Sequence, residues 1–316
     1  MTRTLSPFTR AAAVTAAAVV FLATAVPTGA SAAAKRKPRR PEPTAVPRPP
    51  DPNRVTIPTS DGISLAGTWR PIPGVPKAPA VLLIHDFSRE RREWDVLAHD
   101  FLVHGLATLA IDLRGHGEST RKQGGETVYP SPRFLRDPRS FPRDAKAALD
   151  WLRERSPAIG AIGLSTGANL AVLATANGWA DAAVAVSANV ANLHALAGTL
   201  PYQPRKTLVL ASVQDPGREA SAKELDADGE SPKKLILFPG AAHNLYLLAE
   251  NLEARREALE WLSARLGAVS PMTLSPGPGG GVFLSPLVGP GTISPSTTPT
   301  PMAPVPVPGK AVPGPR

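Results

Sequence analysis

Between residues 55 and 267 the chain alternates short apolar runs with longer stretches in which apolar residues recur at three- and four-residue spacing. Residues 63–69 follow a turn at Ser60-Asp61-Gly62 and alternate in the manner of a half-buried strand. Residues 80–84 and 106–113 are continuous apolar runs, the mark of strands buried on both faces. Residues 158–164, 182–186, 206–213 and 235–238 are further predicted strands. Trp94, Leu97, Phe101 and Leu102 share one helical face within 91–104, and Ala145, Ala148, Leu149 and Leu152 do so within 143–153. Residues 166–177 predict a helix of small residues, and 244–266 a long amphipathic one. Strand–helix alternation of this kind predicts an α/β domain, with a mostly parallel central sheet flanked by helices. The loops that follow the strands then share one rim, where sites form in such sheets.

The flanks change the picture. Arg3 and Arg10, an Ala-rich apolar stretch over 11–26 and the small-residue triplet Ala30-Ser31-Ala32 predict a signal peptide over 1–32 that directs export and is cleaved. An uncleaved membrane anchor is the alternative, but the stretch is short and weakly apolar for a span. Residues 33–54 read as a basic, Pro-rich linker, because each proline removes a backbone donor and fixes φ. Residues 268–316 read as a disordered Pro/Gly-rich tail with too little apolar surface to offset the entropy of ordering.

The formal net charge of +9 belongs to these flanks. Residues 1–54 hold nine Lys/Arg and two Asp/Glu, residues 268–316 two and none, which leaves 24 of each sign in the domain. A neutral domain offers no basic face for reading nucleic acid, so no nucleic-acid partner is expected. The basic linker suits contact with anionic cell-envelope polymers or lipid head groups. The chain has no cysteine, which excludes disulfides, thiolate metal sites and cysteine nucleophiles.

The strongest chemical signal is Gly163-Leu164-Ser165-Thr166-Gly167, between a predicted strand and a predicted helix. In that context G-x-S-x-G is a nucleophile elbow: the tight turn leaves no room for side chains at its glycines and lifts the serine hydroxyl above the sheet. A serine hydroxyl needs a base. Such elbows are followed along the chain by an acid and then a histidine. Only His194 and His243 come after Ser165, and His243 lies on the loop after the last strand. Asp215 ends the preceding strand in an Asp-Pro-Gly turn, and residues 187–204 contain no Asp or Glu. Asp226 and Asp228 fall too deep in the next helical segment. The catalytic set is therefore Ser165, Asp215 and His243. Backbone N–H groups that hold the oxyanion are expected from Thr166 and, on the loop after 80–84, from Phe87.

Residues 81–87, which read Val-Leu-Leu-Ile-His-Asp-Phe, resemble the strand and HG-x loop of α/β hydrolases. Residues 111–119, which read Ile-Asp-Leu-Arg-Gly-His-Gly-Glu-Ser, resemble their D-x-R-G-x-G-x-S segment. With the elbow, the Asp215 turn and the His243 loop, the resemblance covers about residues 55–267, and it is nearest to small esterases and dienelactone-hydrolase-like proteins. The resemblance implies the α/β-hydrolase fold and a structural role for the His116 loop. It also exposes one departure, since the family usually has Gly where this chain has Asp86. Here the carboxylate either crowds the oxyanion loop or turns away to pair with Arg89, Arg91 or Arg92.

Only 19 residues, 187–205, separate the strand at 182–186 from the next, so little or no cap domain is expected. The insertion 120–141, with Tyr129, Phe134 and Phe141, is expected to wall an open cleft. His85 reads as a loop-holding hydrogen bonder and His194 as a surface or lining residue. His99 and His104 do not form a helical His pair with a carboxylate, so no metal is expected, and no cofactor. These features predict an exported serine hydrolase that cleaves a carboxylic ester of a small or polymeric substrate. A serine peptidase or acyltransferase would use the same residues, and a non-catalytic cell-envelope protein that keeps the fold is the rival of another class.

Overall fold

In a computed structural model of the chain, residues 50–128, 137–268 and two strands at 272–276 and 282–286 are described. The expected signal peptide over 1–32, residues 33–49 of the expected linker, Tyr129 and Phe134 of the insertion, and most of the tail lie outside them.

Nine strands form one sheet: β1 (Arg54–Pro58), β2 (Ile63–Arg70), β3 (Ala80–Ile84), β4 (Ala107–Ile111), β5 (Arg121–Lys122), β6 (Ile159–Leu164), β7 (Ala182–Val186), β8 (Thr207–Ser212) and β9 (Lys234–Phe238). Their order is β1-β2-β4-β3-β6-β7-β8-β9, with β5 paired to β2. β2 runs antiparallel to β1 and β4, whereas β4, β3, β6, β7, β8 and β9 are mutually parallel. The mostly parallel α/β sheet expected from the sequence is therefore present.

The central strands β3, β4, β6, β7 and β8 are buried along their whole length because helices cover both faces. Within β3 the two-residue period divides the core. Leu82 and Ile84 join one apolar cluster with helix α2 (Phe141–Arg153) and helix α3 (Thr166–Ala176). Val81 and Leu83 join the other, with Trp94, Phe101 and the helix at Leu252–Leu266. α3 is buried nearly all round, and its Ala-rich composition permits the close approach to the sheet.

Two expected helices are broken. The segment 91–104 is a 3₁₀ turn, Arg91–Val96, followed by α1 (Ala98–Val103). A 3₁₀ turn aligns residues three apart, and Arg91 and Trp94 are both fully buried on that side. The Arg91 guanidinium pairs there with Asp112 and, at 2.7 Å, with Glu118. The segment 244–266 divides into α6 (Leu245–Glu250) and α7 (Leu252–Leu266). Asn251 between them is extended, and its side chain accepts from the N–H groups of Glu253 and Ala254 at 3.0 Å, a cap that starts a new helix.

Two further helices are present among the described residues, α4 (Val190–Ala197) between β7 and β8 and α5 (Arg218–Asp228) between β8 and β9. α4 is all that the β7–β8 connection carries, so no cap domain rises there. β1 was not expected. It begins at the last linker residue, and Asp51 just before it accepts the Thr68 hydroxyl and the Asn53 N–H. Within the Pro/Gly-rich tail, β10 (Met272–Pro276) and β11 (Val282–Pro286) pair antiparallel across a glycine-rich connection. That tail therefore contains a hairpin, where no regular structure was expected.

Candidate active site

Ser165 is the residue between β6 and α3, at φ 50° and ψ −103°, a strained conformation for a residue with a side chain. The strain is held in place by close backbone packing. A Cβ on Gly163 would lie 2.0 Å from the Gly167 carbonyl oxygen, and one on Gly167 would lie 2.2 Å from that of Ile84. The Ser165 N–H donates to Val186 O at 3.0 Å, so the turn is also anchored to β7.

Asp215 follows β8 and His243 follows β9. His243 Nδ1 and Asp215 Oδ2 are 2.6 Å apart. Asp215 is buried, while the His243 side chain keeps 38% of its surface exposed. Their loops are tied together. The Ser212 hydroxyl donates to Ala242 O at 2.7 Å, Gln214 N–H to Gly240 O at 2.9 Å, and Asn244 N–H to the Ser187 hydroxyl at 3.1 Å. Ser187, at the end of β7, and Asn244 also have positive φ, at 53° each. Three strained non-glycine residues thus stand at the sheet's C-terminal rim, the usual setting of such strain.

The loop after β3 forms the other wall. His85 is fully buried, with Nδ1 2.6 Å from Asp86 O, and its Nε2 accepts the Leu113 N–H at 2.9 Å. Burial pushes its pKa down to about 3, so the ring is a neutral strut. The His116 ring packs edge-on against Phe87, 4.9 Å between centroids. The loop of His116 is held by Asp112, which accepts the Arg91 and Glu118 N–H groups at 2.7 and 2.8 Å. Gly117 is required there, since a Cβ at its φ of 46° would sit 2.2 Å from Asp112 Oδ2. Arg114 in the same loop is clamped between Asp144 and Asp61 at 2.7 and 2.6 Å. Both histidines therefore serve the framework, as read from the sequence. His194 is exposed, with its ring tilted against that of Tyr202 at 4.6 Å between centroids.

Asp86 does not pair with the arginines. Its Oδ1 accepts the Phe87 N–H at 2.7 Å, its Oδ2 faces the Ser88 hydroxyl at 3.3 Å, and its own N–H donates to Glu93 Oε1 at 3.0 Å. Burial, reinforced by the Asp86 charge, pushes the Glu93 carboxyl up to about 7 against the Asp86 N–H and Arg89. Nothing in the sequence marked Glu93, because its place beside Asp86 depends on how the 3₁₀ turn folds back.

Two cavities meet at this loop. One, of about 420 Å³, is lined by Phe87, Phe141, Ser165, Thr166 and Leu196 among others. The other, of about 510 Å³, is lined by Arg89, Glu93, His243 and Tyr246 among others. Asp86 and Ser88 border both. The expected wall from the 120–141 insertion is present in Pro138 and Phe141, and α4 adds Asn192, Ala195 and Leu196, which had not been singled out.

Residues 76–209 match the family model of the serine aminopeptidases, S33. A stretch of 49 residues is 47% identical to 2-succinyl-6-hydroxy-2,4-cyclohexadiene-1-carboxylate synthase of Salmonella heidelberg, but the chain spans only 19% of that relative's length. Among solved structures, an esterase of Pyrococcus furiosus matches with a TM-score of 0.54 at 17% identity, over 68% of this chain and 91% of that one. A dienelactone hydrolase of Anabaena variabilis matches with a TM-score of 0.52 at 23% identity, over 67% and 97%. With this strand order and these likenesses, the chain has the α/β-hydrolase fold, and its residues 76–209 resemble the serine aminopeptidases, S33.

Proposed function

We propose that the chain is an exported serine hydrolase that cleaves a carboxylic ester. The observation that carries this reading is the 2.6 Å approach of His243 Nδ1 to the buried Asp215 carboxylate, on loops at the same rim as the strained Ser165. Nothing in the packing of the sheet requires that approach. With Nδ1–H donated to Asp215, the Nε2 lone pair is the free base of the ring.

Ser165 Oγ attacks the acyl carbon while His243 Nε2 takes its proton, and Asp215 stabilises the imidazolium that forms. The negative charge gathers on the carbonyl oxygen, toward the N–H groups of Thr166 and Phe87. Thr166 heads α3, so its N–H belongs to the helix's unpaired first turn. The imidazolium then protonates the leaving alcohol. Water attacks the acyl-enzyme with His243 as base, and the acid is released. The cavity beside Ser165 is of ordinary small-ligand size, and its Phe87, Phe141 and Leu196 suit an apolar acyl chain. The signal peptide sends the enzyme to the cell envelope or beyond, and the basic linker holds it near anionic polymers or lipid head groups.

A serine peptidase is the second reading. It is favoured by the Asp86 carboxylate on the His243 cavity, which would suit the ammonium of a peptide. One experiment separates the two. The purified protein and its Ser165→Ala variant are given p-nitrophenyl esters from acetate to palmitate, and aminoacyl p-nitroanilides. Ester hydrolysis that vanishes in the variant supports the proposal. Hydrolysis of the anilides alone transfers it to a peptidase, and no turnover or fluorophosphonate labelling of folded protein favours a non-catalytic envelope protein.

A further inference from the structure

The N–H that should serve the oxyanion is already in use. Phe87 N–H donates to Asp86 Oδ1 at 2.7 Å, and Phe87, Asp86, Ser165 and Thr166 line one cavity. A substrate oxyanion at Phe87 would compete with a carboxylate for one donor, and the two negative charges would stand within a few ångströms of each other. Their repulsion is strong in a site partly shielded from water. The backbone cannot turn away to relieve it, because Asp86 O faces His85 Nδ1 at 2.6 Å and accepts the Arg89 N–H at 2.9 Å. Asp86 N–H is held by Glu93 in turn, at 3.0 Å. Only the Asp86 side chain is left to move. The second cavity, which Asp86 also borders and which contains Arg89, gives it somewhere to go.

We propose that Asp86 is a positioning residue that keeps the oxyanion loop closed, so that Phe87 N–H reaches a substrate only after the Asp86 carboxylate has left it. This rests on Ser165 being the nucleophile. The carboxylate sets the rate of acylation by occupying the donor, not by touching the reacting carbon. Glycine at this position would leave the donor free. Asparagine would keep an acceptor near Phe87 N–H but remove the charge that repels the oxyanion.

The test compares wild type, Asp86→Gly and Asp86→Asn. The readouts are fluorophosphonate labelling rate, ester kcat and KM, and inhibition by a trifluoromethyl ketone. Ser165 Oγ adds to the ketone carbon and its proton passes to His243, which leaves an oxyanion on the loop without any leaving group. Since one oxyanion donor is worth roughly a hundredfold or more in rate, freeing Phe87 N–H should raise labelling and kcat by about tenfold or more in Asp86→Gly. Ketone affinity should rise by a similar factor while KM stays nearly constant, and Asp86→Asn should fall between. A residue that only supported the loop would instead lower all of these together. If wild type labels at Ser165 and neither variant is faster or binds the ketone more tightly, the closed loop is overturned and the hydrolase reading stands. If no folded form labels, both are overturned. Should Asp86→Gly fail to fold, Asp86→Asn alone decides, since a rate at or below wild type is fatal to the proposal.

Discussion

Gly163 and Gly167 meet across the turn that carries Ser165 so closely that a Cβ on the first would lie 2.0 Å from the carbonyl oxygen of the second. The obstacle in each case is backbone: Gly167 O for Gly163, and Ile84 O for Gly167. No side chain can swing aside to make room, so an added methyl must push β6 from α3 or α3 from β3. Either Gly→Ala substitution should cost about 2–4 kcal/mol of stability, as overpacking in a rigid core does. The serine should also lose its raised position. Urea unfolding and fluorophosphonate labelling check both effects, and a variant with wild-type stability would mean that the turn is looser than it stands here.

Asp215→Asn tests the orientation of His243. Asparagine fills the same space at the end of β8, but its amide can present N–H toward Nδ1. The ring then favours the tautomer whose Nε2 carries the proton and cannot act as base. The expected result is a fall in kcat of roughly 10³–10⁴ with KM little changed, as in triads generally. Steady-state ester kinetics decide it. A fall of less than tenfold would leave Asp215 without the assigned role.

How much of this was legible beforehand follows from which forces are local. Strands β3, β6 and β7 announce themselves as apolar runs because both faces are covered, and the elbow because its two glycines are sterically required. Ser165, Asp215 and His243 were singled out from chain order and from their places after strands, and the structure brings Asp215 and His243 to 2.6 Å of each other. The 3₁₀ turn at Arg91 was not, because it depends on Asp112 and Glu118, more than 20 residues away. The split at Asn251 was signalled by the residue itself, a strong N-cap hidden inside an amphipathic pattern. The direction of the Asp86 carboxylate was open in the sequence. Three arginines stood near it in the chain, yet Arg91 is consumed by Asp112 and Glu118, and the nearest donor is the next residue's N–H.

Glu93 gives the protein a pH dependence of stability whose sign can be worked out. Its carboxyl is pushed from an ordinary 4.5 up to about 7, first by burial and then by the Asp86 charge. The folded state therefore holds the proton more tightly than the unfolded chain does. The stability this confers is fully present below about pH 4.5, declines above it, and is lost once pH has risen through about 7. Glutamine keeps the oxygen that accepts the Asp86 N–H but cannot ionise. Glu93→Gln should thus lose the part of the decline between those limits that belongs to this group, and it should be more stable than wild type on the alkaline side. Thermal melts of both proteins across this range check the slope. Parallel curves would mean that Glu93 is solvated well enough to ionise at its ordinary pKa.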